Sequence, residues 1–64
     1  MVNAEKVKKL REKRNLTQEE FAEIIGASKA MVAHVERGIR QPSVELLKRI
    51  ADYFACTVDS LLTA

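Results

Sequence analysis

The sequence predicts an all-α fold in which five short helices pack around one core. Its 64 residues suit a single domain, since a chain of this length buries roughly 60% of its unfolded surface. Capping residues precede the amphipathic stretches, and apolar residues recur at three- and four-residue steps, as on one face of a helix. No segment reads as a strand. We therefore expect residues 1–64 to form one helical domain.

The first helix is predicted to begin after a cap at Asn3 and to run to about Arg14. Glu5 lies in its first turn, where the helix dipole favours an acid, and Lys13 lies in its last turn, where the dipole favours a base. Asn15 is suited to the cap that ends this helix.

The stretch Thr17–Gly38 is predicted to form two further helices joined at a tight turn. Thr17 can cap the second helix, and Glu20, three residues later, can complete a capping box. Gly26 can supply the left-handed residue that ends this helix, and Ser28 can cap the third helix almost at once. So short a connection makes the third helix leave at a steep angle, which is the geometry of a helix-turn-helix.

The third helix is expected to have an inner side and an outer face. Val32 and Val35 are apolar at helical spacing and should anchor the helix to the core. At roughly 100° per residue, the outer face is centred opposite these two valines. Its members are Lys29, Ala30, Ala33, His34 and Arg37.

The last third of the chain is predicted to hold a loop and two helices. Pro42 disfavours helical backbone angles in the residue before it, so residues 39–42 should form the loop. Ser43 can then cap a fourth helix with the most regular amphipathic pattern in the chain. Its pattern residues are Val44, Leu47, Ile50, Ala51 and Phe54. Thr57 can cap a short fifth helix from Val58 to Leu62.

Charge and cysteine content bound the class of protein. The net charge of +2 is too small to indicate a nucleic-acid partner by itself, although residues 1–40 hold nine Lys and Arg against six Glu. Cys56 is the single cysteine, so an intramolecular disulfide is excluded. No apolar run approaches the roughly 20 residues of a membrane span, and residues 1–9 lack the apolar core of a signal peptide. We expect a cytoplasmic protein without a membrane partner.

The titratable residues lack the pattern of an enzyme. One His and one Cys do not make a set of metal ligands. Glu19 and Glu20 lie at a helix start, where they favour the dipole, so a catalytic dyad is not indicated. No Gly-rich phosphate loop is present. We expect no catalytic residue, no metal and no cofactor.

Several of these features together match a known family. The matching points are Gln18 after the Thr17 cap, small Ala22, Gly26 in the turn, Val32 and Val35, Glu36-Arg37-Gly38, Pro42-Ser43 and Asp59-Ser60-Leu61-Leu62. With these points, residues 16–62 resemble the lambda-repressor-like (Cro/Xre) helix-turn-helix family. The resemblance implies a five-helix lambda-repressor-like DNA-binding domain, with its helix-turn-helix at the second and third helices.

The resemblance also implies a function and its residues. It implies a small bacterial or phage transcriptional regulator, a repressor, which binds a double-stranded DNA operator as a homodimer with residues 28–37 in the major groove. The residues implied to read bases are Lys29, Ala30, Ala33 and His34. The residues implied to contact the DNA backbone are Arg11, Gln18, Arg37, Arg40 and Gln41. A dimer interface is implied at Ile39 and Leu62, and a salt bridge between Arg11 and Glu36.

The chain departs from the family pattern at several positions. Ala30 and Ala33 can contact a thymine methyl or pack on sugar, so hydrogen-bond readout would rest chiefly on the polar residues beside them. Ala55 stands where relatives usually have Gly, so a positive φ there would strain the backbone by about 1 kcal/mol. Ile24 is apolar where relatives are often polar.

A protein-interaction module is the alternative function. The apolar residues Ile24, Ala30, Met31 and Ala33 favour an antitoxin-like or adaptor domain whose chief partner is another protein. Salt dependence separates the two functions, because phosphate contacts release counterions and weaken as salt rises. The identity of any protein partner stays open, as does the possibility that the chain is the N-terminal domain of a longer repressor.

Overall fold

A computed structural model describes residues 1–63, and Ala64, the last residue of the predicted domain, lies outside that range. The described residues form α1 (Ala4–Lys13), α2 (Gln18–Ile25), α3 (Lys29–Glu36) and α4 (Val44–Tyr53), followed by one turn of 3₁₀-helix at Asp59–Leu61. The all-α prediction is confirmed. Within residues 1–63, none of these helices combines the length and the apolar character that a membrane span requires.

Local sequence explains where the four α-helices begin. As predicted, the N-cap residue of each accepts a hydrogen bond from a backbone N–H of the first turn; these residues are Asn3, Thr17, Ser28 and Ser43. The Glu20 carboxylate accepts from the Thr17 N–H at 2.9 Å, which completes the predicted capping box. The start of each α-helix is therefore set by residues within three positions of its N-cap.

The core lies where the four α-helices meet. Its largest fully buried side chains are Val7, Phe21, Ile50 and Leu61. Phe21 of α2 packs against Phe54 at the end of α4, with ring centroids 5.4 Å apart. Helices of 8–10 residues are unstable alone in water, so this shared core is what holds each of them in place.

The prediction that Val44 faces the core is wrong. Val44 is 71% exposed, whereas Leu46 and Leu47 of the same helix are buried. Val44 is the first residue of α4 and is left uncovered there, although helical spacing places it on the same side as the buried Ala51, seven residues later. Leu46 instead belongs to the core and lines the same interior space as Val35 of α3.

The predicted fifth helix is shorter than expected. The structure has a single 3₁₀ turn at Asp59–Leu61, and the backbone of Leu62 is extended. Leu62 forms an isolated antiparallel bridge with Val2, and the Asn3 N–H donates to the Leu61 carbonyl at 2.7 Å. So short a segment gains few helical hydrogen bonds, whereas pairing with the N-terminal residues satisfies its backbone groups.

Ala55 adopts the strained conformation expected from its position after α4. Its φ is 52°, in the left-handed region that Ala rarely occupies. The Cys56 N–H donates to the Ala51 carbonyl at 2.9 Å, so this conformation turns the chain back onto the end of the helix. Asn15 has the same conformation after α1, with φ of 57°, and asparagine tolerates it better than alanine.

Candidate nucleic-acid interface

The helix-turn-helix is built as the sequence predicts. Gly26 ends α2 with φ of 71°, and the Ala27 N–H donates to the Ala22 carbonyl at 2.9 Å. The Ser28 hydroxyl then accepts from the Met31 N–H at 3.0 Å and starts α3. Two residues therefore separate the left-handed glycine from the first residue of α3, which fixes the direction of that helix.

The inner side of α3 is buried, and its outer face is not. Val32 and Val35 are both buried in the core, as predicted. On the outer face, Lys29, Ala30 and Arg37 are exposed, and Ala33 and His34 are half-buried. The structure thus brings the predicted base-reading residues together on one accessible surface, with two polar side chains beside two methyl groups.

A buried ion pair holds the end of α3 against α1. The Nε atom of Arg11 donates to Oε2 of Glu36 at 2.7 Å, and Nη2 of Arg11 donates to Oε1 at 3.1 Å. The side chains of Arg11 and Glu36 are 10% and 3% exposed. The hydrogen bond to Glu36 raises the pKa of the Arg11 guanidinium above its ordinary value, and desolvation opposes this only partly. The salt bridge that the family resemblance implies is therefore confirmed.

The start of α2 is attached to the same ion pair. The Nη1 atom of Arg11 donates to the carbonyl of Leu16 at 2.6 Å, one residue before the Thr17 cap. The Nε2 atom of Gln18 donates to Oε1 of Glu36 at 3.2 Å. Arg11 and Glu36 therefore fix the position of α2 as well as that of α3.

The side chain of Arg11, which the resemblance implies as a contact of the DNA backbone, is engaged in contacts within the protein. Its guanidinium is committed to Glu36 and to the Leu16 carbonyl, and little of it is accessible. These bonds hold the side chain between the end of α3 and the residue before the Thr17 cap of α2. A phosphate contact by Arg11 stays a prediction, and the geometry assigns Arg11 a structural role first.

The other residues predicted to contact the DNA backbone lie at the surface. Arg37 ends α3, Arg40 follows it in the loop, and both side chains are exposed. Gln41 is also exposed, but its Oε1 atom accepts from the Val2 N–H at 2.8 Å. That bond ties the loop to the N-terminus and leaves the amide nitrogen of Gln41 directed elsewhere.

The two residues predicted for the dimer interface differ in exposure. Ile39 is 63% exposed in the loop after α3. Leu62 is half-buried and packs against the core beside its bridge to Val2. Because Val2 contacts both Gln41 and Leu62, the loop and the C-terminal segment meet at one side of the domain.

Sequence reasoning missed the contacts that link distant segments. The bond between Gln18 and Glu36 joins residues 18 apart, and the bond between Val2 and Gln41 joins residues 39 apart. No local pattern marks either pair.

In the part of the chain that the structure describes, no group of three or more His, Cys, Asp and Glu is placed to hold a metal ion.

Comparisons with known proteins agree with this geometry. The sequence model of the Helix-turn-helix family matches residues 7–61. The HTH-type transcriptional activator BcrR of Enterococcus faecalis is 41% identical over 59 residues, which are 92% of this chain and 29% of BcrR. The HTH-type transcriptional regulator AnsR of Bacillus subtilis is 38% identical over 61 residues, which are 95% of this chain and 53% of AnsR. The chain thus spans about half or less of the length of these two relatives.

The fold is also that of a solved repressor. The P22 c2 repressor, in a crystal structure with a synthetic operator, superposes with a TM-score of 0.91 at 24% identity. The superposition covers 98% of this chain and 96% of the repressor chain. From its sequence match over residues 7–61, this chain belongs to the lambda-repressor-like (Cro/Xre) helix-turn-helix family of transcriptional regulators.

Proposed function

We propose that this chain binds double-stranded DNA sequence-specifically and regulates transcription, with α3 in the major groove. The observation that carries the proposal is the two-sided character of α3. Val32 and Val35 are buried, whereas the outer face, with Lys29 and Ala30 at its N-terminal end, is accessible. In a helix-turn-helix, the N-terminal residues of the second helix are the ones that contact base edges.

The outer face supports a mixed mode of readout. Lys29 and His34 can hydrogen-bond to base edges, and the methyl groups of Ala30 and Ala33 can contact thymine methyls. Two alanines among four reading positions leave few hydrogen bonds to bases. Part of the specificity therefore comes from DNA shape and from the spacing of half-sites.

Backbone contacts are assigned to the start of α2 and to the segment after α3. Gln18 is the first residue of α2, where the N–H groups of the helix lack intrahelical acceptors and the helix dipole favours a phosphate. Arg37 at the C-terminal end of the outer face and Arg40 in the loop after it add positive charge there. Gln41 can donate from its amide nitrogen while its oxygen holds the N-terminus.

We further propose that the protein acts as a homodimer in the cytoplasm and as a repressor. Ile39 and Leu62 lie on the side where the loop after α3 meets the C-terminal segment, and Ile39 is exposed there. A second copy related by a two-fold axis would bring two α3 helices to half-sites about one helical turn, near 34 Å, apart. The names of BcrR and AnsR support a role in transcription, and the name of BcrR describes an activator.

Selection from a pool of randomised duplex DNA tests this proposal. We expect enrichment of two inverted half-sites whose centres are about 10 base pairs apart. Enrichment of a single half-site would contradict the proposed homodimer but support DNA binding. A pool that stays random after repeated rounds would contradict DNA binding itself.

A protein-interaction module is the second candidate, favoured by exposed apolar side chains. Ile24 of α2 is 45% exposed, and Ile39 and Val44 are more exposed still. Ile24 lies on α2 and not on the outer face of α3, so a protein partner bound there would not need to displace DNA. A partner that binds through Ile24 would lose affinity in an Ile24→Glu variant whose DNA binding is unchanged.

A further inference from the structure

We propose that Glu36 is a positioning residue that orients the side-chain amide of Gln18 for contact with a DNA phosphate. The inference rests on the proposed DNA binding and deepens it. Glu36 is the last residue of α3 and its carboxylate is almost wholly buried, so it does not itself meet DNA. It acts through Gln18, which is half-buried at the start of α2.

The geometry makes the orientation of the amide unique. An amide has an oxygen that accepts and a nitrogen that donates two N–H bonds, whereas a carboxylate only accepts. Oε1 of Glu36 lies 3.2 Å from Nε2 of Gln18. The reversed amide would place its oxygen against the carboxylate oxygen, with no proton between them. Glu36 thus selects the amide orientation that keeps the nitrogen of Gln18 between the start of α2 and the end of α3.

That orientation suits a phosphate. A phosphate oxygen accepts hydrogen bonds and donates none, so Gln18 has to present an N–H to it. One N–H of Nε2 is used by Glu36, and the second remains for a phosphate at the start of α2. The backbone N–H groups of the first turn that lack intrahelical acceptors lie at the same end of α2 as Gln18.

Arg11 compensates the negative charge of Glu36 near the proposed phosphate. A carboxylate close to a phosphate would repel it if its charge were not compensated. Two hydrogen bonds from Arg11 neutralise Glu36 and fix the position of its oxygens. Arg11 also holds the Leu16 carbonyl, so both partners of the ion pair set the position of Gln18.

A double-mutant cycle tests the proposal. The double variant R11M/E36L replaces the ion pair by apolar side chains of similar size, a change that buried pairs often tolerate. In the natural chain we expect Q18A to weaken binding to a duplex on the order of tenfold, as for a hydrogen bond to a charged group. In the R11M/E36L background we expect Q18A to change affinity by less than about twofold, because the amide of Gln18 is no longer oriented there. If Gln18 and the ion pair were independent, the two losses of binding free energy would add.

The exposed Arg37 provides the matched control. R37A should weaken binding by a similar factor in both backgrounds, since among residues 1–63 no side-chain hydrogen bond or salt bridge links Arg37 to Arg11 or Glu36. An equal loss from Q18A in both backgrounds would overturn the proposal while leaving DNA binding intact, and so would Q18A with no loss in the natural chain. If the natural chain does not bind the duplex, the proposed function fails instead.

A measurement without DNA covers the case in which R11M/E36L does not fold. Nitrogen-15 relaxation of the Gln18 side-chain amide in the free protein should show an ordered group in the natural chain. The conservative E36Q variant keeps the volume of the side chain but can present its own amide nitrogen to Gln18. We expect the Gln18 amide to become mobile in E36Q, and an amide that is equally mobile in both proteins would overturn the proposal.

Discussion

The Nε atom of Arg11 in α1 lies 2.7 Å from Oε2 of Glu36 at the end of α3, and both side chains are almost fully removed from water. This pair joins α1 to the second helix of the helix-turn-helix. Both groups are charged, so the loss of one partner strands the other in a medium of low dielectric. The stability of the domain and the placement of α3 therefore depend on the same contact.

Replacing Glu36 by Ala should destabilise the fold by about 3–5 kcal/mol, the usual effect of stranding a buried charge. The free energy of unfolding from urea titration measures the loss. Glu45→Ala is the matched control, because the pair of Glu45 with Arg49 is exposed and worth about 1 kcal/mol or less. Equal losses of unfolding free energy in the two variants would show that burial does not make the Arg11–Glu36 pair more important for stability than an exposed pair.

Replacing Ala55 by Gly should stabilise the protein by about 1 kcal/mol, because Gly relieves the left-handed strain at φ of 52°. The urea midpoint should rise. Asn15→Gly is the comparison, since asparagine at φ of 57° is less strained and should gain less. A lower midpoint for Ala55→Gly than for the natural chain would contradict the strain.

The two left-handed glycines separate backbone strain from steric contact. Gly26→Ala and Gly38→Ala should each lose about 1–2 kcal/mol, because φ is 71° and 75°. A methyl group at Gly26 would lie 3.2 Å from Nη1 of Arg49, whereas nothing lies within 4 Å at Gly38. Arg49 is a flexible, exposed side chain and can move aside, so we expect similar losses by thermal unfolding. A loss at Gly26 several times that at Gly38 would show that Arg49 is held rigidly there.

Substitutions on the outer face of α3 should change which DNA sequence is preferred. Lys29→Ala and His34→Ala should cost about 1–3 kcal/mol on the selected site and much less on random duplex. Arg37→Ala should weaken binding to both duplexes alike. Anisotropy titrations on a selected and a scrambled duplex distinguish these patterns. If Lys29→Ala and His34→Ala lose affinity equally on the two duplexes, neither residue reads bases.

A charge at Ile39 should separate the proposed dimer. Ile39→Glu places a carboxylate in the interface, so sedimentation equilibrium should show a lower average mass than for the natural chain. Val44→Glu is the matched control, because Val44 is equally apolar and exposed but was not assigned to the interface. Equal effects of the two variants, or none from Ile39→Glu, would place the interface elsewhere.

The features predicted correctly are those that depend on near neighbours in sequence. The caps at Thr17 and Ser28 need groups within three residues, and Gly26 ends α2 through its own backbone. The burial of Val32 and Val35 follows from helical spacing inside a segment bounded by these signals. Together they define the helix-turn-helix and its outer face before any tertiary contact is known.

The features that sequence reasoning missed depend on which segment lies opposite. Val44 follows the apolar spacing of α4 but has no neighbour to cover it. Leu62 is extended because Val2 pairs with it, across nearly the full length of the chain. The contact of Gln18 with Glu36 likewise exists because folding brings α2 and α3 together, so no pattern within either helix could have indicated it.

Salt-dependent binding to duplex DNA tests the central claim most directly. Fluorescence anisotropy of a labelled duplex should show binding at about 50 mM salt. The logarithm of the affinity should then fall linearly with the logarithm of the salt concentration, with a slope of about 0.9 for each phosphate contacted. Arg37→Ala should reduce that slope by about 1. A natural chain that binds no duplex at low salt, or binds with an affinity that salt does not change, would contradict the proposal that this domain acts on DNA.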